Sequence, residues 1–189
     1  MSARTASRAS RPPLRLRGAC ARFVRARDGA TAVEFALVGL PFLALIFAII
    51  ELALIFLVST SLDNATDNAA RAIRTGQLQT KGGATATSFK TTICDNLGWL
   101  ASTCGANLAV DVRTYANFND ISLSDPIVNK TFDAGALTFS PGNPEDIVVV
   151  RAYYQWTLFT PLLSGAVEKL SGGKTLLTST LAFRNEPYS

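Results

Sequence analysis

Few residues in this sequence can do chemistry. It has no histidine and three cysteines, which excludes Ser-His-Asp catalysis, histidine-ligated zinc and a four-cysteine zinc site. Five aspartates invite a calcium site, but the spacing of a calcium-binding loop is missing. We interpret them as solvated loop carboxylates: Asp95, Asp111, Asp120, Asp125 and Asp133. We therefore expect no catalytic residue, no metal, no cofactor and no enzymatic activity.

Two carboxylates stand in unusual surroundings. Glu34 precedes a long apolar run and Glu51 lies within it. A carboxylate inside a membrane is costly and calls for a partner. At roughly 100° per residue, the two side chains point in different directions on one helix and cannot serve one partner. For Glu51 two interpretations stay open: contact with a polar group on another membrane helix, or a protonated or snorkelling side chain without a specific partner.

The apolar run predicts one membrane-spanning helix. It extends over Phe35–Val58 and contains a single charge, and about 20 apolar residues suffice to cross a bilayer. A cleaved secretory signal would have an apolar stretch of about 7–15 residues and a small-x-small cleavage site, and neither is found here. Pro41 removes one helical hydrogen bond, so with Gly39 nearby we expect a bend or a locally loosened segment.

The positive charge is concentrated at the N-terminus. Eight arginines precede the first acidic residue, Asp28, whereas the chain from Thr60 onward has ten Lys/Arg and eleven Asp/Glu. Positive flanks stay cytoplasmic, which predicts an inner-membrane protein with a cytoplasmic N-terminus and a periplasmic C-terminal domain. We interpret residues 1–29 as a disordered basic leader. A nucleic-acid-binding arm is the alternative, but the membrane run that follows makes a nucleic-acid partner the less favoured reading.

The remaining pattern predicts an α+β fold. We expect the long N-terminal helix to continue past the membrane as an amphipathic segment within residues 30–76 and to stop at Gly76. A small extracytoplasmic domain, residues 77–189, then holds a short helix over Ser88–Leu100 and an antiparallel sheet of about three strands. The predicted strands are Ala109–Tyr115, Asp146–Thr157 and Leu176–Arg184.

Aromatic residues are abundant near the strongest predicted strand. We interpret four of them as core or interfacial side chains rather than a ligand cage: Trp99, Tyr153, Tyr154 and Trp156. The apolar stretch from Phe159 to Leu170 can rest on a membrane surface, with Lys169 snorkelling.

Cys94 and Cys104 are separated by nine residues on the predicted periplasmic side. In an oxidising compartment two cysteines so close in sequence favour a disulfide, which would tie the short helix to the start of the first strand. Two reduced buried thiols are the alternative. Cys20 falls in the cytoplasmic leader and should stay reduced.

The segment Gly29-Ala30-Thr31-Ala32-Val33-Glu34-Phe35 resembles a prepilin cleavage signature. The resemblance implies that a membrane aspartic peptidase, the prepilin peptidase, cuts after Gly29, so that the mature chain begins at Ala30. It also implies that Glu34 pairs with the new amino group of a neighbouring subunit. The small glycine fits close approach of a protease. Alternatively, Gly29 only starts the helix and Glu34 lies in the head-group layer.

A longer match resembles the TadE-like family of the tight adherence pilus. It includes 32–37, Pro41, Glu51-Leu52 and 64–71, and more loosely the ending at 178–188. The resemblance implies a minor, pseudopilin-like structural component anchored in the membrane. Its partners would be other pilin or pseudopilin helices, pilus secretion components and the prepilin peptidase. The alternative function is a signal-anchored periplasmic binding or sensor domain unrelated to pili.

Overall fold

The computed structural model describes residues 30–80, 82, 84–160 and 165–188. The predicted leader, with Gly29 and Cys20, lies outside the described residues. The chain divides into two compact units, one ending at Leu45 and the other running from Ile46 onward.

The long helix α1 spans Ala30–Arg74 and runs through both units. Its end was predicted correctly: Gly76 has φ +74°, a left-handed conformation that glycine adopts without steric cost. The Gly76 amide donates to the Ile73 carbonyl at 3.0 Å. Arg71 and Arg74 in the last turn complement the negative end of the helix dipole.

The rest of the second unit is α+β, as predicted. Its helices are α2 (Gln77–Thr80), α3 (Ala86–Asn96) and α4 (Ala101–Asn107), with 3₁₀ turns at Gly98–Leu100, Phe118–Asp120 and Ala134–Ala136. Its strands are β1 (Leu108–Tyr115), β2 (Ile127–Val128), β3 (Thr131–Phe132), β4 (Ile147–Thr157) and β5 (Lys174–Arg184).

The short helix differs from the prediction at both ends. The helix α3 begins earlier because Thr85 caps it: the Thr85 hydroxyl accepts from the Ser88 amide, and Ser88 Oγ accepts from the Thr85 amide. It ends at Asn96 rather than Leu100, since Gly98 has φ +57° and breaks the helix. The helix α4 that follows was not predicted.

The main sheet is antiparallel, with the order β1-β4-β5. Val150 of β4 lies opposite Val112 on one side and Leu181 on the other. Next to β1, the Val112 amide donates to the Thr138 carbonyl, and its carbonyl accepts from the Ser140 amide, both at 2.8 Å. Residues 138–140 therefore extend the sheet beyond β1, and β2 and β3 form a separate hairpin. Apart from these strands and the two 3₁₀ turns, the segment 117–146 is loop.

The core lies between the sheet and the C-terminal half of α1. Successive side chains of a strand point to opposite faces, and β4 is buried on both. One face joins α1 and α3 in the main core. Representative members are Val58, Leu62, Ala65, Ala69, Ile73, Phe89, Val112, Val150 and Tyr154. A smaller cluster on the opposite face contains Tyr153, Leu170 and Leu176.

Candidate membrane and helix-packing site

The N-terminal part of α1 exposes two of the predicted processing residues, Glu34 and Phe35. The described part of the helix starts at Ala30, and Gly29 lies outside the described residues. The Glu34 side chain is exposed, and Phe35 is 78% exposed. Glu34 belongs to the first unit and Glu51 to the second. Processing at Gly29 and pairing of Glu34 stay predictions.

Large apolar side chains are exposed along much of α1. They are Val33, Phe35, Leu37, Val38, Leu40, Phe42, Leu43, Leu45, Phe47, Ile49, Ile50, Leu52, Phe56 and Leu57. Such an extended apolar surface is unfavourable in water, and α1 is long and apolar enough to cross a membrane. The helix therefore indicates a single-pass membrane anchor. It continues through Pro41 as one element, and a bend at that residue stays a prediction.

Glu51 contacts the polypeptide backbone of its own chain. The residue is 2% exposed. Its carboxylate accepts hydrogen bonds from the backbone amides of Phe159 and, at 2.7 Å, Thr160. These two hydrogen bonds fix the start of the loop after β4 against α1. Neither sequence interpretation of Glu51 included this arrangement, because backbone amides have no signature in a sequence. Contact with another membrane helix stays a prediction.

An aromatic row adjoins this loop, and we define it as Trp99, Trp156 and Phe159. The Trp156 ring meets the Phe159 ring at 5.7 Å between centroids and the Trp99 ring at 6.4 Å, both edge to face. Trp156 is 8% exposed, whereas Trp99 and Phe159 are 59% and 68% exposed. The row thus has a buried middle and two exposed ends. Trp156 is a core aromatic as predicted, as are Tyr153 and Tyr154.

Cys94 and Cys104 form a disulfide, as predicted. Cys94 is at the C-terminal part of α3 and Cys104 is in α4. The bond therefore joins two helices, rather than a helix and the first strand. It lies in the main core, where Cys104 is fully buried.

The prediction for Asp111 was wrong, because its side chain is buried in the sheet rather than solvated. Its carboxylate accepts hydrogen bonds from Arg151 Nη2 at 2.6 Å, Arg113 Nε at 3.0 Å and the Thr138 amide at 2.8 Å. Burial favours the neutral acid, but the bonds from Thr138, Arg151 and Arg113 outweigh it and hold the pKa of the Asp111 carboxyl below its ordinary value. The alternating pattern of β1 signalled the strand but not these partners.

The C-terminal segment closes over the end of α1. The Glu186 amide donates to the Arg74 carbonyl at 2.8 Å, and the two side chains form an exposed ion pair at 3.2 Å. The Tyr188 ring lies so close to Gly76 that a Cβ there would overlap it. Gly76 therefore provides both a turn and room for an aromatic ring.

Over the described residues, fold and site together define an α+β protein with an internal disulfide and one long apolar helix, which indicates a membrane anchor. Residues 29–71 match the model of the TadE-like protein family, which confirms the resemblance found in this part of the sequence. The matched residues coincide with α1 almost throughout, and they indicate a protein associated with the tight adherence pilus. No curated protein and no solved structure matches the chain.

Proposed function

We propose that this protein is a minor, pseudopilin-like structural component of the tight adherence pilus assembly apparatus. The observation that carries the proposal is that the TadE-like match covers a helix whose two halves have different surroundings. The N-terminal half exposes large apolar side chains, and the C-terminal half is buried under a sheet. Such a helix can pack beside other pilin or pseudopilin helices while its domain contacts pilus secretion components. The match favours this function over a sensor domain unrelated to pili.

In this proposal the protein is held in the inner membrane with its N-terminus cytoplasmic and residues 77–189 periplasmic. The eight arginines of the leader support the orientation, because positive flanks stay cytoplasmic. The disulfide between Cys94 and Cys104 supports a periplasmic domain, since disulfides persist in oxidising compartments.

The prepilin peptidase would cut after Gly29 and leave Ala30 as the first residue. The exposure of Glu34 supports this step, because its carboxylate would be available to the new amino group of a neighbouring subunit. Cleavage removes eight arginines and Asp28, leaving ten Lys/Arg and thirteen Asp/Glu, so the side-chain charge changes from +4 to −3. At a low-dielectric boundary, pairing between the amino group and Glu34 would be strong.

The proposal is tested by the mass and N-terminal sequence of the protein recovered from membranes, together with pilus formation. Gly29→Val should block processing, because a β-branched side chain crowds the backbone, whereas Gly18→Val in the same leader should leave processing intact. Glu34→Ala should permit processing but impair pilus formation, whereas Asp63→Ala, an exposed helix residue, should change neither.

Two outcomes contradict the proposal. Protein that still begins at Met1 or Ser2 in cells with an active prepilin peptidase excludes cleavage. Normal pili in cells that lack this protein exclude the structural role.

A further inference from the structure

We propose that the exposed ends of the aromatic row, Trp99 and Phe159, insert into the lipid interface on the side of the membrane occupied by the second unit. The domain would then be held on the bilayer by its own surface as well as by α1. This inference rests on the membrane anchoring in the proposed function and extends it to a second, separate contact with lipid.

The first observation is the position of Phe159 along α1. The Glu51 carboxylate holds the amides of Phe159 and Thr160. Glu51 precedes Val58, the last residue of the apolar run, by about 10 Å along the helix axis. Phe159 is therefore beside helix residues within the apolar run, not beyond its end. A helix that spans a membrane brings Phe159 to the level of lipid.

The second observation is the chemistry around the row. Neither 97–101 nor 156–160 contains a charged residue. Near Glu51, α1 itself exposes Ile49, Ile50 and Leu52, so apolar helix surface occurs at the same level as Phe159. Tryptophan is enriched at membrane–water interfaces, where its large ring meets apolar surroundings and its N–H meets water. This continuity with the apolar helix favours lipid as the partner.

The third observation is that the row is rigidly supported. Trp156 is in β4 and belongs to the main core, and the exposed Trp99 and Phe159 rings both pack edge to face against it. The Glu51 hydrogen bonds fix the backbone of Phe159 independently. The contacts with Trp156 and the hydrogen bonds of Glu51 therefore set the direction of the exposed rings. Contact with lipid then has little conformational entropy of these rings left to remove.

Fluorescence can test this directly, because the chain has two tryptophans and both are in the row. The full-length protein is reconstituted into vesicles, and Trp156→Phe leaves Trp99 as the single probe. We expect lipids brominated near the head-group end of the acyl chain to quench Trp99 more than lipids brominated near the methyl end. We also expect iodide in the aqueous phase to quench it weakly.

A matched control places one tryptophan at the other end of the sheet. Phe118 is 54% exposed and follows β1, whose last residue, Tyr115, pairs with Ile147 at the start of β4. Trp156 is nine residues further along β4, or roughly 30 Å. With Trp99→Phe and Trp156→Phe in place, Phe118→Trp should give an indole that iodide quenches strongly and brominated lipid does not.

The outcomes separate this inference from the proposed function. In the first outcome, the protein stays in the vesicles after an alkaline wash, but iodide quenches Trp99 as it does the control and brominated lipid does not. That outcome overturns this inference and leaves the membrane anchor intact. Trp99 shielded from both quenchers overturns it too, because protein rather than lipid then covers the row. Release by the alkaline wash overturns the membrane anchor and this inference with it.

Discussion

Replacing Arg151 by methionine should destabilise the domain strongly, because it removes one partner of a buried ion pair. The Arg151 side chain is 6% exposed and that of Asp111 is 0% exposed, and their closest atoms are 2.6 Å apart. Removing one member of a buried pair costs about 3–5 kcal/mol. Arg113 and Thr138 still bind the carboxylate, so we expect a loss of about 3 kcal/mol, the lower end of that range.

A loss of that size is measurable in the full-length protein in detergent. It is a large fraction of the roughly 5–15 kcal/mol by which domains are usually stable. The free energy of unfolding is obtained from urea titrations followed by tryptophan fluorescence. Arg113→Met is the matched control, because Arg113 binds the same carboxylate from a side chain that is 29% exposed. Partly exposed pairs contribute about 0–1 kcal/mol.

The pH dependence gives a second test of the same pair. Hydrogen bonds from Thr138, Arg151 and Arg113, acting against burial, hold the pKa of Asp111 below its ordinary value of 3.8. The stabilisation by the ionised carboxylate is therefore complete above that value and is lost as the pH falls through the lower pKa of the folded state. The difference in unfolding free energy between wild type and Arg151→Met should narrow over the same range.

Two results would refute this reasoning. One is an equal loss of unfolding free energy in Arg151→Met and Arg113→Met at neutral pH. It would mean that the buried pair stabilises the domain no more than the partly exposed pair. The other is a difference between wild type and Arg151→Met that stays constant as Asp111 becomes protonated.

The remaining predictions concern covalent and backbone constraints. Replacing Cys94 and Cys104 by serine should lower the free energy of unfolding by about 2–3 kcal/mol, because the unfolded chain gains freedom; complete thiol labelling of denatured, unreduced wild-type protein would exclude the bond. Gly76→Ala and Gly172→Ala both place alanine at positive φ, which costs roughly 1–2 kcal/mol. Gly76→Ala should lower the free energy of unfolding further than Gly172→Ala, because the new Cβ overlaps the Tyr188 ring. Equal shifts of the urea midpoint in the two variants would contradict that packing. A periplasm-dependent reporter fused after Ser189 should be active, and an inactive but well-expressed fusion would reverse the orientation.

Elements with strong local patterns were predictable. The β-branched and aromatic residues of Asp146–Thr157 predicted a strand, and β4 occupies Ile147–Thr157. The end of α1 at Gly76 followed from glycine's tolerance of positive φ. The cysteine spacing predicted the disulfide. In each case the decisive residues are neighbours in the sequence, so their chemistry is visible without the fold.

The incorrect predictions have local causes as well. Gly98 stopped α3 early, because a left-handed glycine breaks a helix that the apolar spacing alone would continue to Leu100. The segment Ala101–Asn107 has few apolar residues and no helical stripe, so α4 had no signal in the pattern. Asp111 was interpreted from its type, since most aspartates are solvated.

By itself, the sequence predicted one apolar helix with a TadE-like pattern, an amphipathic continuation, a disulfide and about three strands. Periodicity, spacing and composition are local properties, so they can be interpreted before the chain folds. Only the tertiary structure decided which partners the buried charges find. Asp111 meets Arg151 because β1 and β4 pair in one register, and Glu51 meets the amides of Phe159 and Thr160 because the sheet brings the loop after β4 to α1. Contacts over such distances depend on strand register and helix packing, and backbone amides, which every residue except proline has, leave no mark in the sequence.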